Sequence, residues 1–176
     1  FQNVLTTEFD NFGWDFIYRD WGPEFAEIAD WISSSYHKCD YLLRIPFHEP
    51  MSSFSNVTDV GLTGGAPRHS IETLKSSFNL SKSLKKTILL TFGGGGLKRI
   101  PYSNIESFPD LQFITFDNEA PEYPNLLKIT DRQYRPVDLM PLCDRIISKP
   151  GYSTFAEACR LGVPVTSITR KDFAES

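Results

Sequence analysis

From Ser70 onward the chain is written as short apolar runs separated by helical stretches, and no other feature constrains its fold as strongly. Thr87 to Phe92 reads as a strand buried on both faces, and further runs follow at Leu111 to Phe116, Leu126 to Ile129, Arg145 to Ser148 and Pro164 to Ile168. Helical spacing fills the intervals near 71–79, 137–143 and 154–161. Apolar strands that lack a polar face, joined through helices, are best satisfied side by side and parallel in one sheet covered on both faces. An α/β fold with a parallel sheet is therefore expected.

The first part of the chain has a different grammar. Residues 1–7 read as strand-like. From Asp20 the order GPEFAEIADWISSSY sets Phe25, Ile28, Ala29, Ile32 and Tyr36 at helical spacing with Pro23 suited to the first turn, which predicts one amphipathic helix to about Ser35, packed by Trp14, Trp21 and Trp31. A short strand follows at Asp40 to Ile45. Pro46 and Pro50 then open an irregular stretch, and Gly64, Gly65 and Pro67 give residues 46–70 the look of a linker. This divides the chain into 1–60, the end of one domain with its linker, and 61–176, a second domain. A first residue that is Phe rather than Met, and a stop at Ser176 just after a strand, lead us to expect a piece of a longer polypeptide.

Composition removes several classes. In 176 residues, 18 Lys and Arg against 22 Asp and Glu leave a net charge of −4, so the basic field that gathers nucleic acid or anionic membrane is missing. The apolar runs fall far short of the ~20 residues a membrane helix needs. The three cysteines, Cys39, Cys143 and Cys159, form no CxxC pair, so no disulfide framework or zinc site is expected and a reducing, cytoplasmic setting is the default. Cys143 and Cys159 fall on apolar helix faces and read as buried thiols. Asp10, Asp15 and Asp20 are spaced five apart, which does not align them on one helix face, and no metal site is expected. His48 beside Glu49 reads as a rigid surface turn, and His37 and His69 as surface residues.

Two segments have the chemistry of a binding site. Gly93, Gly94, Gly95 and Gly96 follow directly on the strand ending at Phe92, where glycines let backbone N–H groups approach a phosphate. The run lacks the Lys-Ser/Thr ending of a P-loop and the GxGxxG spacing of a dinucleotide site. Downstream, Ser148-Lys149-Pro150-Gly151-Tyr152-Ser153-Thr154 carries the chain from a strand through a glycine turn into a helix that Gly162 closes, and the free N–H groups and dipole of that helix start favour an anion. Thr154 and Glu157 stand in capping-box spacing, so Glu157 either caps its own helix or accepts hydrogen bonds from a ribose.

KPGYSTFAEACRLGVPV (149–165), with TFGGGG (91–96) upstream, resembles the donor domain of GT-B-fold glycosyltransferases, especially the MurG-like group. DNFGWDFIY (10–18), YLLRIPFHEPM (41–51) and SKPGYSTFAEA (148–158) together resemble the amino-terminal, glycosyltransferase-like region of plant L-arabinokinases and the bacterial proteins similar to it, along nearly the whole chain. The resemblance implies a Rossmann-like donor domain preceded by the tail of a Rossmann-like acceptor-side domain. Gly93, Gly94, Gly95 and Gly96 would face a diphosphate, Gly151, Tyr152, Ser153 and Thr154 would line the same pocket, and Glu157 would hold the ribose. Backbone groups near Ile129 to Tyr134 would read the base, and Asn11, Trp14 and Asp15 would lie on the acceptor side. The implied activity is sugar transfer from a nucleotide-diphosphate donor, a UDP-sugar by kinship, to a hydroxyl acceptor, with no cofactor or metal and with the catalytic base outside this chain. Two other readings stand beside it: a non-catalytic nucleotide-sugar-binding or regulatory module, and a structural α/β domain whose Thr154 and Glu157 only cap a helix. Nothing resembles the ATP motif of a sugar kinase.

Overall fold

A computed structural model describes residues 4–6, by backbone only, 13–80, 85–93 and 100–169. Asn11, Gly94, Gly95 and Gly96 lie outside the described residues. The chain forms two compact units, one of residues up to Thr63 together with Gly151–Ser153, the other of Gly64–Pro150 and residues 154–169.

The first unit holds a parallel sheet in the order β1 (Val4–Thr6), β2 (Tyr41–Arg44), β3 (Val57–Asp59). Helices α1 (Trp14–Trp21) and α2 (Ala26–Tyr36) connect β1 to β2. Leu42, Met51 and Phe54 form its core, with the Tyr36 ring stacked on Phe54 at 4.6 Å. The helix expected from Asp20 to about Ser35 is present as a 3-10 turn at Pro23–Phe25 running into α2, and α1 is an additional helix ahead of it that was not expected, separated from it by Gly22 at φ 145°, outside the helical region. Trp14, Trp21 and Trp31, expected to pack the amino-terminal helix, are 44%, 57% and 69% exposed. Trp14, Tyr18, Trp21 and Phe25 instead pack on each other along the outside, with successive ring centroids 4.9–6.1 Å apart. Part of the supposed linker is also a strand: β3 is exposed along its length, so it carries no apolar signature, and it is held by the ladder to β2 and by the Arg44 fork on Asp59 (2.6 and 3.0 Å).

The second unit is a five-stranded parallel sheet in the order β6 (Leu126–Lys128), β5 (Leu111–Thr115), β4 (Lys86–Thr91), β7 (Arg145–Ser148), β8 (Val165–Ser167). Its strands and helices match the predicted alternation closely. Alternate side chains of β4 feed two cores, as the two-residue period requires. Leu89 joins Leu74, Ile114, Val137, Leu139, Ile146 and Ala158 on the face covered by α3 (Ile71–Ser77), α4 (Pro136–Leu139) and α5 (Tyr152–Leu161). Ile88 and Leu90 join Phe92, Tyr102, Ile105, Phe113 and Leu126 on the other face, beneath a 3-10 turn at Tyr102–Ser107.

Candidate functional site

The strand order fixes where a ligand can enter. From β4 the chain steps outward to β5 and β6, then returns to lay β7 on the opposite side of β4. Strand order reverses between β4 and β7, and the crevice beyond the carboxyl ends of such a pair is the usual binding place in open α/β sheets. Register pairs Thr91 with Ser148, so the two predicted segments leave the sheet side by side. A Cβ at Gly93 would stand 3.7 Å from Lys149 Cε, and among the described residues Lys149 has no ion-pair partner. Sequence reasoning quoted Lys149 without giving it a role; a lysine directly after a strand at an order reversal was the available signal.

Immediately after β7, α5 begins at Tyr152. It closes on Gly162 with Val163 N–H bonded to Ala158 O (3.0 Å) and Gly162 N–H to Cys159 O (3.2 Å), the paired bonds of a Schellman end. Gly151 opens onto free space. Ser153 is exposed and Thr154 half-buried. Tyr152 is 6% exposed, and its hydroxyl accepts the Thr63 N–H at 3.3 Å. Because Thr154 is the third helical residue rather than the residue before the helix, the capping box does not form.

Glu157 is instead engaged across the second unit. Its Oε1 accepts the Gly65 N–H at 2.8 Å. Burial pushes its carboxyl above the usual glutamate range, opposed by the Gly65 bond and by the charges of Arg135 and Arg160. Arg160 Nη1 donates to Gly64 O at 2.8 Å and Arg135 Nη2 to Ala66 O at 2.7 Å. Arg135 is in turn oriented by Asp138, which is fully buried and accepts from the Arg135 backbone N–H (2.9 Å), Nε (3.1 Å) and Nη2 (2.8 Å) and from the Arg68 N–H (2.9 Å). Burial by itself would raise the Asp138 carboxyl; the Arg135 side chain and the two backbone N–H groups outweigh it and hold the group well below the usual carboxylate range. The sequence reading missed this cluster, since Arg is an unusual residue before a helix and residues 64–68 look like plain linker.

The acceptor-side candidates are placed separately. Trp14 is on the surface, whereas Asp15 is buried and accepts a short hydrogen bond from Ser53 Oγ, which also pairs with Ser33 Oγ at 2.9 Å. Of the remaining polar residues, His48 Nδ1 lies 2.7 Å from Glu49 O, and His69 packs its ring 5.0 Å from Tyr134. Cys143 is largely buried, bonds Leu139 O at 3.2 Å, and has its thiol pushed up to about 12 by burial and then by Asp144. Cys159 is exposed, contrary to expectation, because it sits on the outer face of α5 while Ala156 and Ala158 face inward. Among the described residues no helix is long and apolar enough to cross a membrane.

Comparison with known proteins gives the fold a name. An L-arabinokinase of Arabidopsis thaliana is 30% identical over 176 aligned residues, which cover 94% of this chain and 16% of that protein. Among solved structures, the spinosyn forosaminyltransferase SpnP matches with a TM-score of 0.60 at 15% identity over 99% of this chain and 52% of its own. The glycosyltransferase of kitacinnamycin gives 0.55 at 12% identity, over 97% of this chain and 51% of that one. The glycosyltransferase SnogD from Streptomyces nogalater gives 0.51 at 17%, over 88% and 47%. No family model matches the chain. The architecture is that of the GT-B glycosyltransferases, as the sequence led us to expect, and the chain spans about half the length of these solved relatives.

Proposed function

We propose that the second unit is the donor-binding part of a glycosyltransferase that moves a sugar from a nucleotide-diphosphate donor, a UDP-sugar, to a hydroxyl acceptor. The observation that carries this reading is the order reversal between β4 and β7, which sets Gly93 beside Lys149 at the end of the sheet just ahead of the start of α5. When the bond between anomeric carbon and phosphate oxygen breaks, negative charge grows on the departing diphosphate. In this reading the Gly93 turn and the Lys149 ammonium meet that charge, and preorganised groups of this kind spare the solvent reorganisation that would otherwise accompany it. A resident metal has no part in this reading.

Glu157 lies in the second turn of α5, where a carboxylate can accept from two ribose hydroxyls, and it supplies the orientation that a diphosphate contact alone lacks. The acceptor hydroxyl attacks from a part of the enzyme that this unit does not supply. A binding module that has kept the donor pocket without transfer is the second reading, supported by the burial of Asp15, which is spent on Ser53 rather than offered to an acceptor.

Titration calorimetry with the diphosphates of uridine, guanosine, cytidine, adenosine and thymidine tests the proposal. Binding that falls at least tenfold in both Glu157→Ala and Lys149→Ala, and is unaffected by a chelator, is the expected result. Absence of binding, or binding indifferent to both substitutions, refutes it. Tight binding without transfer by a full-length enzyme would favour the module.

A further inference from the structure

The carboxylate proposed to receive the ribose is already taken, and what takes it is the chain itself. Gly64-Gly65-Ala66 lies against α5 and Arg135 as a strap, with its Gly65 N–H on Glu157 Oε1, its Gly64 carbonyl on Arg160 and its Ala66 carbonyl on Arg135. Glycine is needed at both contact positions. A Cβ on Gly64, at φ 133°, would stand 2.9 Å from Glu157 Cγ, and one on Gly65 would stand 2.9 Å from Glu157 Oε1 and 3.2 Å from Arg135 Nη1. The strap begins beside a cost, since the hydroxyl of Thr63, the residue before it, is buried with no hydrogen-bond partner.

We infer that residues 64–66 form an autoinhibitory strap whose Gly65 N–H occupies the Glu157 acceptor site, so that a nucleoside diphosphate must displace the strap before its ribose can bind. This rests on the reading of Glu157 as the ribose acceptor. One oxygen of a carboxylate bonded to a backbone N–H at 2.8 Å offers fewer lone pairs to a ribose diol, which pairs best with both oxygens. The strap is held by a charged donor, Arg160, exposed on the last turn of α5 and outside the proposed nucleotide contacts. Displacement is local: the Asp138 anchor on Arg68 N–H lies two residues beyond Ala66 and fixes the strap's downstream end, so residues 64–66 can lift while Arg68 stays.

The test uses uridine diphosphate as probe on the whole chain. Arg160→Ala removes the hold on Gly64 and is expected to tighten binding at least threefold, and Gly65→Ala, whose added methyl would press on Glu157 Oε1 (2.9 Å), Arg135 Nη1 (3.2 Å) and the buried Val137 Cγ1 (3.3 Å) and so push the strap outward, is expected to do the same. In the wild type, saturating ligand is expected to speed amide exchange at Gly64, Gly65 and Ala66, opposite to the protection a ligand confers on residues it contacts. Unchanged or weaker binding in both variants, or added protection at these amides, overturns the strap while leaving the donor site intact. Glu157→Gln that binds as tightly as wild type overturns the ribose reading, and the strap with it.

Discussion

Replacing Asp138 by alanine tests the packing that holds the second unit together. The carboxylate is fully buried and receives four hydrogen bonds of 2.8–3.1 Å, two from the Arg135 guanidinium and two from backbone N–H groups. Hydrogen bonds to a charged group are worth about 1.5–3 kcal/mol each, but they are not additive and the freed donors at Arg68 and Arg135 sit near enough to the surface to find water. Breaking a buried pair while leaving its partner costs about 3–5 kcal/mol, and the lower half of that range is expected here. For a chain of this size that is a fall in Tm of about 6–16 °C. Urea unfolding followed by circular dichroism should show the midpoint shifted with the slope unchanged. The sign with pH is also fixed: a carboxyl whose folded pKa is depressed stabilises fully above its unfolded value near 4, and the contribution is lost as pH falls toward the folded value. The gap between wild type and Asp138→Ala should therefore narrow below about pH 4. A loss under about 1 kcal/mol at pH 7, or a gap that widens in acid, would refute this account of the cluster.

The thiols should differ in reactivity: with a disulfide reagent at pH 8, exposed Cys159 should react fastest and Cys143, raised to about 12 by burial and then by Asp144, slowest, and Cys159→Ser should remove the fast phase. Burial raises the Tyr102 hydroxyl to about 12, opposed by the bond with Thr115 and assisted by Asp117, so an ultraviolet titration should show a step in that range that Tyr102→Phe deletes. Because the neutral phenol is the form favoured by the fold, its contribution is present below about pH 10 and is lost as pH rises through about 12. Tyr102→Phe should also cost about 1 kcal/mol at pH 7, since the hydroxyl bonds Asp117 at 2.9 Å; no measurable loss would count against that bond.

The second unit was legible because its signals are local and redundant. β4, with Leu89 and Leu90 buried on opposite faces, could be nothing but an interior strand, and β7 at Arg145–Ser148 follows from the same pattern. What stayed hidden depends on partners distant in sequence. β3 has no apolar period and exists through its ladder and the Arg44–Asp59 fork, contributions that appear only when residues 15 apart meet. The tryptophans were expected to pack the amino-terminal helix; Trp14 and Trp21 do so with Tyr18 and Phe25, but on its exposed side, while Ala29 carries the buried face of α2. Thr154 and Glu157 match a capping box in spacing, but the helix starts at Tyr152, two residues early, and the glutamate turns to Gly65. Residues 64–68 read as linker because glycine and proline signal irregular chain and do not reveal what that chain is bonded to.

The most direct test of the central claim is a crystal of the full chain grown or soaked with uridine diphosphate. The account predicts diphosphate density between Gly93 and Lys149, with the ribose hydroxyls on Glu157 and residues 64–66 lifted from it. Diphosphate bound anywhere else on the sheet, with the crevice between β4 and β7 empty, would contradict it.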